Sequence, residues 1–139
     1  MFHSVSAFCT AGFGLYNNNL EPFASSIPVN VITSILAISG SLGFIVVTDF
    51  WNRLSGKTQS ITYTTKVIIG VMIVLLLVGT GVIYYGEPSL NPLSGGLRLM
   101  ISFFQAMSAL TTVGFNTIPL GDLSLGVLLI LIFLMYVGA

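Results

Sequence analysis

The sequence predicts an all-α membrane protein built from repeated modules, each made of a span, a short re-entrant segment and a second span. Three observations predict it. Hydrophobic residues fill 55% of the 139 positions and charged residues only 6%, against about 25% charged in a soluble domain. Charge-free stretches long enough for a helix to cross a bilayer alternate with apolar stretches too short to do so. The two short stretches repeat one another at a fixed offset.

Composition also removes several function classes. Four basic and four acidic residues leave no net charge, so the chain lacks the basic face that neutralises a phosphate backbone, and no nucleic-acid partner is expected. A single cysteine, Cys9, permits no internal disulfide. No group of Cys, His and carboxylates has metal-ligand spacing, so no cofactor and no side-chain metal site are expected in this chain.

Taken in order, residues 1–16 form the first short apolar segment, a helix over residues 1–8 followed by glycine-containing extended chain. The start lacks the basic, apolar and small-residue succession of a secretory signal and reads as an internal segment. Residues 22–48 carry no charge and become apolar near Ile27, giving the first span. Residues 49–66 hold Arg53, Lys57 and Lys66, three of the four basic residues, which places that loop on the cytoplasmic side with Trp51 as an interfacial anchor. Residues 67–86, VIIGVMIVLLLVGTGVIYYG, are the purest span and end on the anchoring pair Tyr84 and Tyr85. Residues 97–118 are the second short segment. Residues 123–139 are a third apolar run that stops without a flanking charge, so the chain is expected to be an internal fragment. The organisation is therefore residues 1–48 as one module's re-entrant segment and inner helix, residues 49–66 as a cytoplasmic loop, and residues 67–139 as the next module's outer helix, re-entrant segment and truncated inner helix.

The two short segments align without gaps. FHSVSAFCTAGF from Phe2 matches FQAMSALTTVGF from Phe104 at a constant offset of 102 residues. Phe, Ser, Ala, Thr, Gly and Phe are identical. Val5/Met107, Phe8/Leu110 and Ala11/Val113 keep apolar character. Duplicated modules in a membrane protein are arranged about a shared axis or site. Irregular backbone at membrane depth survives only against protein or a water-filled cavity, and one use of such backbone is a ring of carbonyls that replaces a cation's hydration shell. Gly12 and Gly114 lack a Cβ and so admit positive φ. Each preceding helix would end with its partial negative pole near the ion. Glycines also permit close helix packing, which is the reading preferred for Gly40, Gly43, Gly70, Gly79 and Gly81. For Gly12 and Gly114 the repeated Thr-x-Gly-Phe context favours the filter.

On these residues a family resemblance can be stated. SAFCTAGFGL and SALTTVGFNT resemble the second and third pore loops of the TrkH/KtrB/HKT superfamily of potassium transporters, with a closer likeness to the bacterial Ktr-type membrane subunit. GSLGFIVVTDFW, residues 40–51, resembles the cytoplasmic end of the inner helix after the second loop. The resemblance implies a pseudo-tetrameric cation channel, four covalently joined modules around one ion path in a bacterial plasma membrane. It implies that Cys9, Thr10, Ala11, Gly12 and Phe13 form one wall of a selectivity filter and Thr111, Thr112, Val113, Gly114 and Phe115 another, with Asn116 following as in many third loops. Potassium would be the permeant ion and sodium a coupling or activating ion. The implied partners are the lipid bilayer, the remaining modules, a second copy in a homodimer and a cytosolic nucleotide-binding regulatory subunit. Two positions depart from the pattern: Cys9 where many Ktr-type second loops have Asn, and Leu110 where some third loops have Arg.

The other polar residues have plainer readings. His3 is expected to hydrogen-bond locally near a helix start in preference to relaying protons. Asp49 and Arg53, four apart, are expected to pair on one helix face. Glu21, Glu87 and Asp122 read by default as solvated loop charges, with concentration of cations near the outer mouth as the alternative. Another pore-loop cation channel, or a secondary transporter with re-entrant hairpins, is the alternative reading. No nucleophile elbow, zinc-protease helix or carboxylate pair points to an enzyme.

Overall fold

Among the described residues, regular structure consists of six α-helices and two short 3-10 turns, and no strand occurs. The computed structural model describes residues 1–16, 19–56, 62–119, 121 and 123–138, with the side chains of 44 and 45 left aside. The helices are α1 (Phe2–Phe8), α2 (Ile27–Ser41), α3 (Gly43–Leu54), α4 (Tyr63–Gly86), α5 (Gly95–Leu110) and α6 (Leu125–Gly138).

α4 is the one described helix long and apolar enough to cross a bilayer unaided, about 36 Å at 1.5 Å per residue. Its outward face, with Val67, Val71, Val74, Leu77 and Val78, is exposed, as expected where lipid or further protein is the solvent. It starts at Tyr63, four residues before the charge-free stretch, because the polar turn Tyr63–Lys66 continues the helix.

The first span departs from expectation. In place of one helix over residues 22–48 there are two, α2 and α3, bent by 100° between Ile27–Ser41 and Val46–Leu54. The cause is Gly43, at φ +72°, which ends α2 as a left-handed residue just past the C-cap Leu42. Gly43 is therefore a conformational glycine and not a packing one, since a Cβ there would meet nothing within 4 Å. At the other end of α2, Pro28 sits in the first turn, where its missing N–H costs nothing. The Asn30 amide donates to the carbonyls of Phe23 (3.2 Å) and Ala24 (2.9 Å), tying the helix to the turn Glu21–Phe23.

α3 is held against the start of α4 by Asp49. Its carboxylate accepts from Thr65 Oγ1 at 2.5 Å and from the Thr62 amide at 3.3 Å. Thr62 is the N-cap of α4, so the anion sits at the positive end of that helix. The expected Asp49–Arg53 pair does not form among the described residues.

α5 is the centre of the molecule. Nearly every residue from Ile101 to Leu110 is buried. One side packs with Ile83, Val127, Leu131 and Leu134 of α4 and α6. The other, through Phe104 and Met107, packs with Ala7, Leu20, Ala37, Val113 and Phe115. Gly79 belongs to the first contact: a Cβ there would lie 2.7 Å from Leu134 Cδ1 and 3.3 Å from Ala106 Cβ, so it is a packing glycine. Gly70 and Gly81 face open space.

Candidate functional site

The repeat in sequence is also a repeat in backbone conformation. α1 ends at Phe8 with Cys9 as C-cap (φ −79°, ψ 5°), and α5 ends at Leu110 with Thr111 as C-cap (φ −85°, ψ −1°). The next residues, Thr10 (φ +50°) and Thr112 (φ +54°), are both left-handed. Their amides donate back to Ala7 (3.2 Å) and Ala109 (3.1 Å), and the Ala11 amide reaches Ser6 at 2.9 Å. These are the bonds by which a helix terminus satisfies its last carbonyls, here made with threonine where glycine is usual.

Two residues later Gly12 (φ +67°) and Gly114 (φ +79°) are left-handed again, whereas Ala11 and Val113 are not among the positive-φ residues. The sign of φ thus alternates over Cys9–Thr10–Ala11–Gly12 and again over Thr111–Thr112–Val113–Gly114. Ordinary extended chain turns successive carbonyls to opposite sides. Alternation in the sign of φ departs from that geometry, and irregular backbone of this kind is what a carbonyl-lined cation site requires. Positive φ was anticipated at the two glycines. At the threonines it was not, because a β-branched residue is a poor left-handed residue and nothing in a single occurrence of Thr marks it.

The two segments lie side by side. A Cβ on Gly12 would fall 1.9 Å from the Val113 carbonyl oxygen, so the strands approach at backbone contact and only glycine fits. Gly114 faces open space. The Asn19 amide donates to the Gly114 carbonyl (3.3 Å), and the Leu20 amide to the Asn116 carbonyl (3.2 Å). Phe115 is fully buried beneath them. Within the chain Thr111, Val113 and Phe115 are buried, while Cys9, Ala11 and Phe13 are exposed.

His3 and Gln105, partners in the repeat, do comparable work. His3 Nε2 accepts from the Leu15 amide at 3.3 Å, and its ring stacks on Tyr16. Gln105 Nε2 donates to Asn116 Oδ1 at 3.3 Å. Each straps its helix to the chain leaving the glycine, which agrees with the local hydrogen-bonding role expected of His3.

Glu87 corrects the reading of outer charges. It is 2% exposed, and its carboxylate accepts from the Ser124 amide (2.8 Å), from Ser89 Oγ (2.8 Å) and from the Ser89 amide (3.3 Å). Burial raises its pKa, but the hydrogen bonds from Ser124 and Ser89 together outweigh burial and hold it below the usual value. Glu87 is a structural anion joining the end of α4 to the start of α6. Arg98 is likewise structural, donating to the Tyr84 carbonyl and lying 4.5 Å over the Tyr84 ring. Glu21 is half-buried, and Asp122 and Lys57 lie outside the described residues.

Comparison with known proteins completes the picture. The family model described as TrkH, cation transport protein, matches residues 1–139. The chain is 34% identical to Ktr system potassium uptake protein B of Vibrio alginolyticus, over 100% of this chain and 31% of that protein. It is 31% identical to the protein of the same name from Bacillus subtilis (strain 168), over 100% of this chain and 32% of that protein. Potassium/sodium uptake protein NtpJ of Enterococcus hirae is 33% identical over 99% of this chain and 31% of its own length. The chain spans about a third of the length of the curated relatives it matches. An all-helical chain, a long exposed apolar helix and a duplicated glycine segment accord with these matches: the chain belongs to the TrkH family of cation transport proteins.

Proposed function

We propose that this chain supplies two of the walls of a potassium-selective pore, in a bacterial plasma-membrane protein that takes up potassium. The observation that carries the reading is the alternation of φ sign at 9–12 and 111–114, duplicated and brought to backbone contact at Gly12 and Val113. Carbonyls of Cys9, Thr10, Ala11, Gly12 and Phe13, and of Thr111, Thr112, Val113, Gly114 and Phe115, would take the place of water around the ion. The C-termini of α1 and α5, which end immediately before these segments, add partial negative charge that favours a cation. No covalent chemistry is involved.

Four modules around one axis complete the path in this reading, two of them represented here in part. A second copy and a cytosolic nucleotide-binding subunit are the proposed partners. Sodium is proposed as a coupling or activating ion, a reading favoured by the name of the potassium/sodium relative.

Rubidium-tracer uptake by the full-length protein, in cells lacking their own potassium uptake, tests the proposal. Wild type should carry rubidium in preference to sodium. Gly114→Ser, which adds a side chain at φ +79°, should cut that preference roughly tenfold while the protein still reaches the membrane. A parent protein that never carries rubidium, or a well-expressed mutant that behaves as wild type, would sink the assignment.

A further inference from the structure

The two helices that end at the proposed filter are each seated on a glycine of the helix that follows it. A Cβ on Gly40, near the end of α2, would lie 1.8 Å from the Phe8 carbonyl oxygen, 2.8 Å from its carbon and 3.3 Å from Phe8 Cα. A Cβ on Gly138, at the end of α6, would lie 1.9 Å from the Leu110 carbonyl oxygen and 2.8 Å from its carbon. Phe8 and Leu110 are partners in the repeat, and each is the last residue of its helix. The same atom of the same position is therefore met by a glycine backbone twice, independently, in the two modules.

Alignment at the fixed offset does not reveal this pairing. Gly40 lies 32 residues after Phe8, whereas Gly138 lies 28 after Leu110. The connecting chains differ in length, but both helices arrive at the same carbonyl.

We infer that Gly40 and Gly138 are positioning residues for the filter, setting the place of the last pore-helix carbonyl and hence the origin of the carbonyl row that follows it. The inference rests on the reading of residues 9–13 and 111–115 as that filter. A helix leaves its last carbonyls without intrahelical partners, and an approaching Cα–H supplies a weak one while fixing the distance. With any Cβ present, the carbonyl and the inner helix must separate by more than an ångström to reach ordinary contact near 3.5 Å. The residue that moves is followed directly by Cys9 or Thr111. Displacements of this size are large against the roughly 0.5 Å tolerance of a preorganised site.

The test is rubidium uptake with sodium competition by the full-length protein, comparing wild type, Gly40→Ala, Gly138→Ala and Gly70→Ala. Gly70 is a helical glycine whose Cβ would meet nothing. The expected result is a roughly tenfold loss of rubidium-over-sodium preference in Gly40→Ala and Gly138→Ala, with a raised half-saturating rubidium concentration, and no change in Gly70→Ala. A merely structural role would lower the amount of protein and the maximal rate but leave preference and half-saturation alone, and that outcome overturns the inference. If both alanine variants fail to reach the membrane while Gly70→Ala does, the glycines serve folding and the inference is also overturned. A loss of preference in Gly114→Ser without one in Gly40→Ala and Gly138→Ala removes this inference and leaves the filter standing. A wild type that carries no rubidium removes both.

Discussion

Thr10 and Thr112 carry the sharpest residue-scale observation. Left-handed φ at a β-branched residue costs about 1–2 kcal/mol, and such strain persists where surrounding structure imposes it, most often at functional sites. Thr112→Gly should relieve it, raising thermal stability in detergent by about 1 kcal/mol while loosening the carbonyl row. Melting and tracer selectivity measured on the same variant should thus move in opposite directions. Glu87 offers a second residue-scale prediction. Its pKa is lowered in the folded protein, so its stabilising contribution is present above the unfolded glutamate value and is lost as pH falls through the folded one. Glu87→Gln should destabilise by about 1–3 kcal/mol at pH 7, and melting curves of mutant and wild type should draw together as pH falls below the ordinary glutamate range. A difference that persists unchanged into acid would mean that the carboxylate charge is not what joins α4 to α6.

Elements are delimited here by particular stops. α2 ends because Gly43 adopts φ +72° with nothing near its missing Cβ. Gly43→Ala therefore has a conformational cost of about 1 kcal/mol and no steric one, and should favour a straighter α2–α3 junction. Distances between spin labels placed on the two helices should lengthen in that variant, and an unchanged distribution would show that the bend does not depend on the glycine. α3 is then aimed by the Asp49 carboxylate at Thr62 and Thr65. α1 and α5 stop on left-handed threonines, which no helix-propensity argument would select. A glycine pattern in the sequence announced the breaks after them, while the residue that makes each turn lay two positions earlier.

For the whole molecule, the charge asymmetry of the loops predicts an orientation that can be measured. Cysteine at Ser55, in the basic loop, should react with a membrane-impermeant thiol reagent only from the cytoplasmic side, and cysteine at Asn91 only from outside. Both should be assayed in a Cys9→Ser background, and the reverse pattern would invert the topology. α5 carries the packing among the described residues, with Phe104 fully buried against Ala7 of α1, Ala37 of α2, and Val113 and Phe115. Phe104→Ala should cost about 3–5 kcal/mol, while truncating exposed Leu77 on α4 should cost little.

The sequence by itself determined the apolar character, the long apolar helix, the family and the duplicated Thr-x-Gly-Phe segments. These are legible because apolar length and self-similarity are properties of residues in order. Tertiary structure decided the rest: that Gly12 meets the Val113 carbonyl, that Gly40 and Gly138 meet the ends of α1 and α5, that Glu87 is a buried strut and Asp49 a helix clasp, and that threonines turn left-handed. The contacts of Gly12, Gly40, Gly138, Glu87 and Asp49 each join groups separated by 13 to more than 100 residues of chain. A missing side chain or a single carboxylate looks the same in the sequence whether it faces lipid, water or another helix, and only the neighbour it meets in the fold gives it a role.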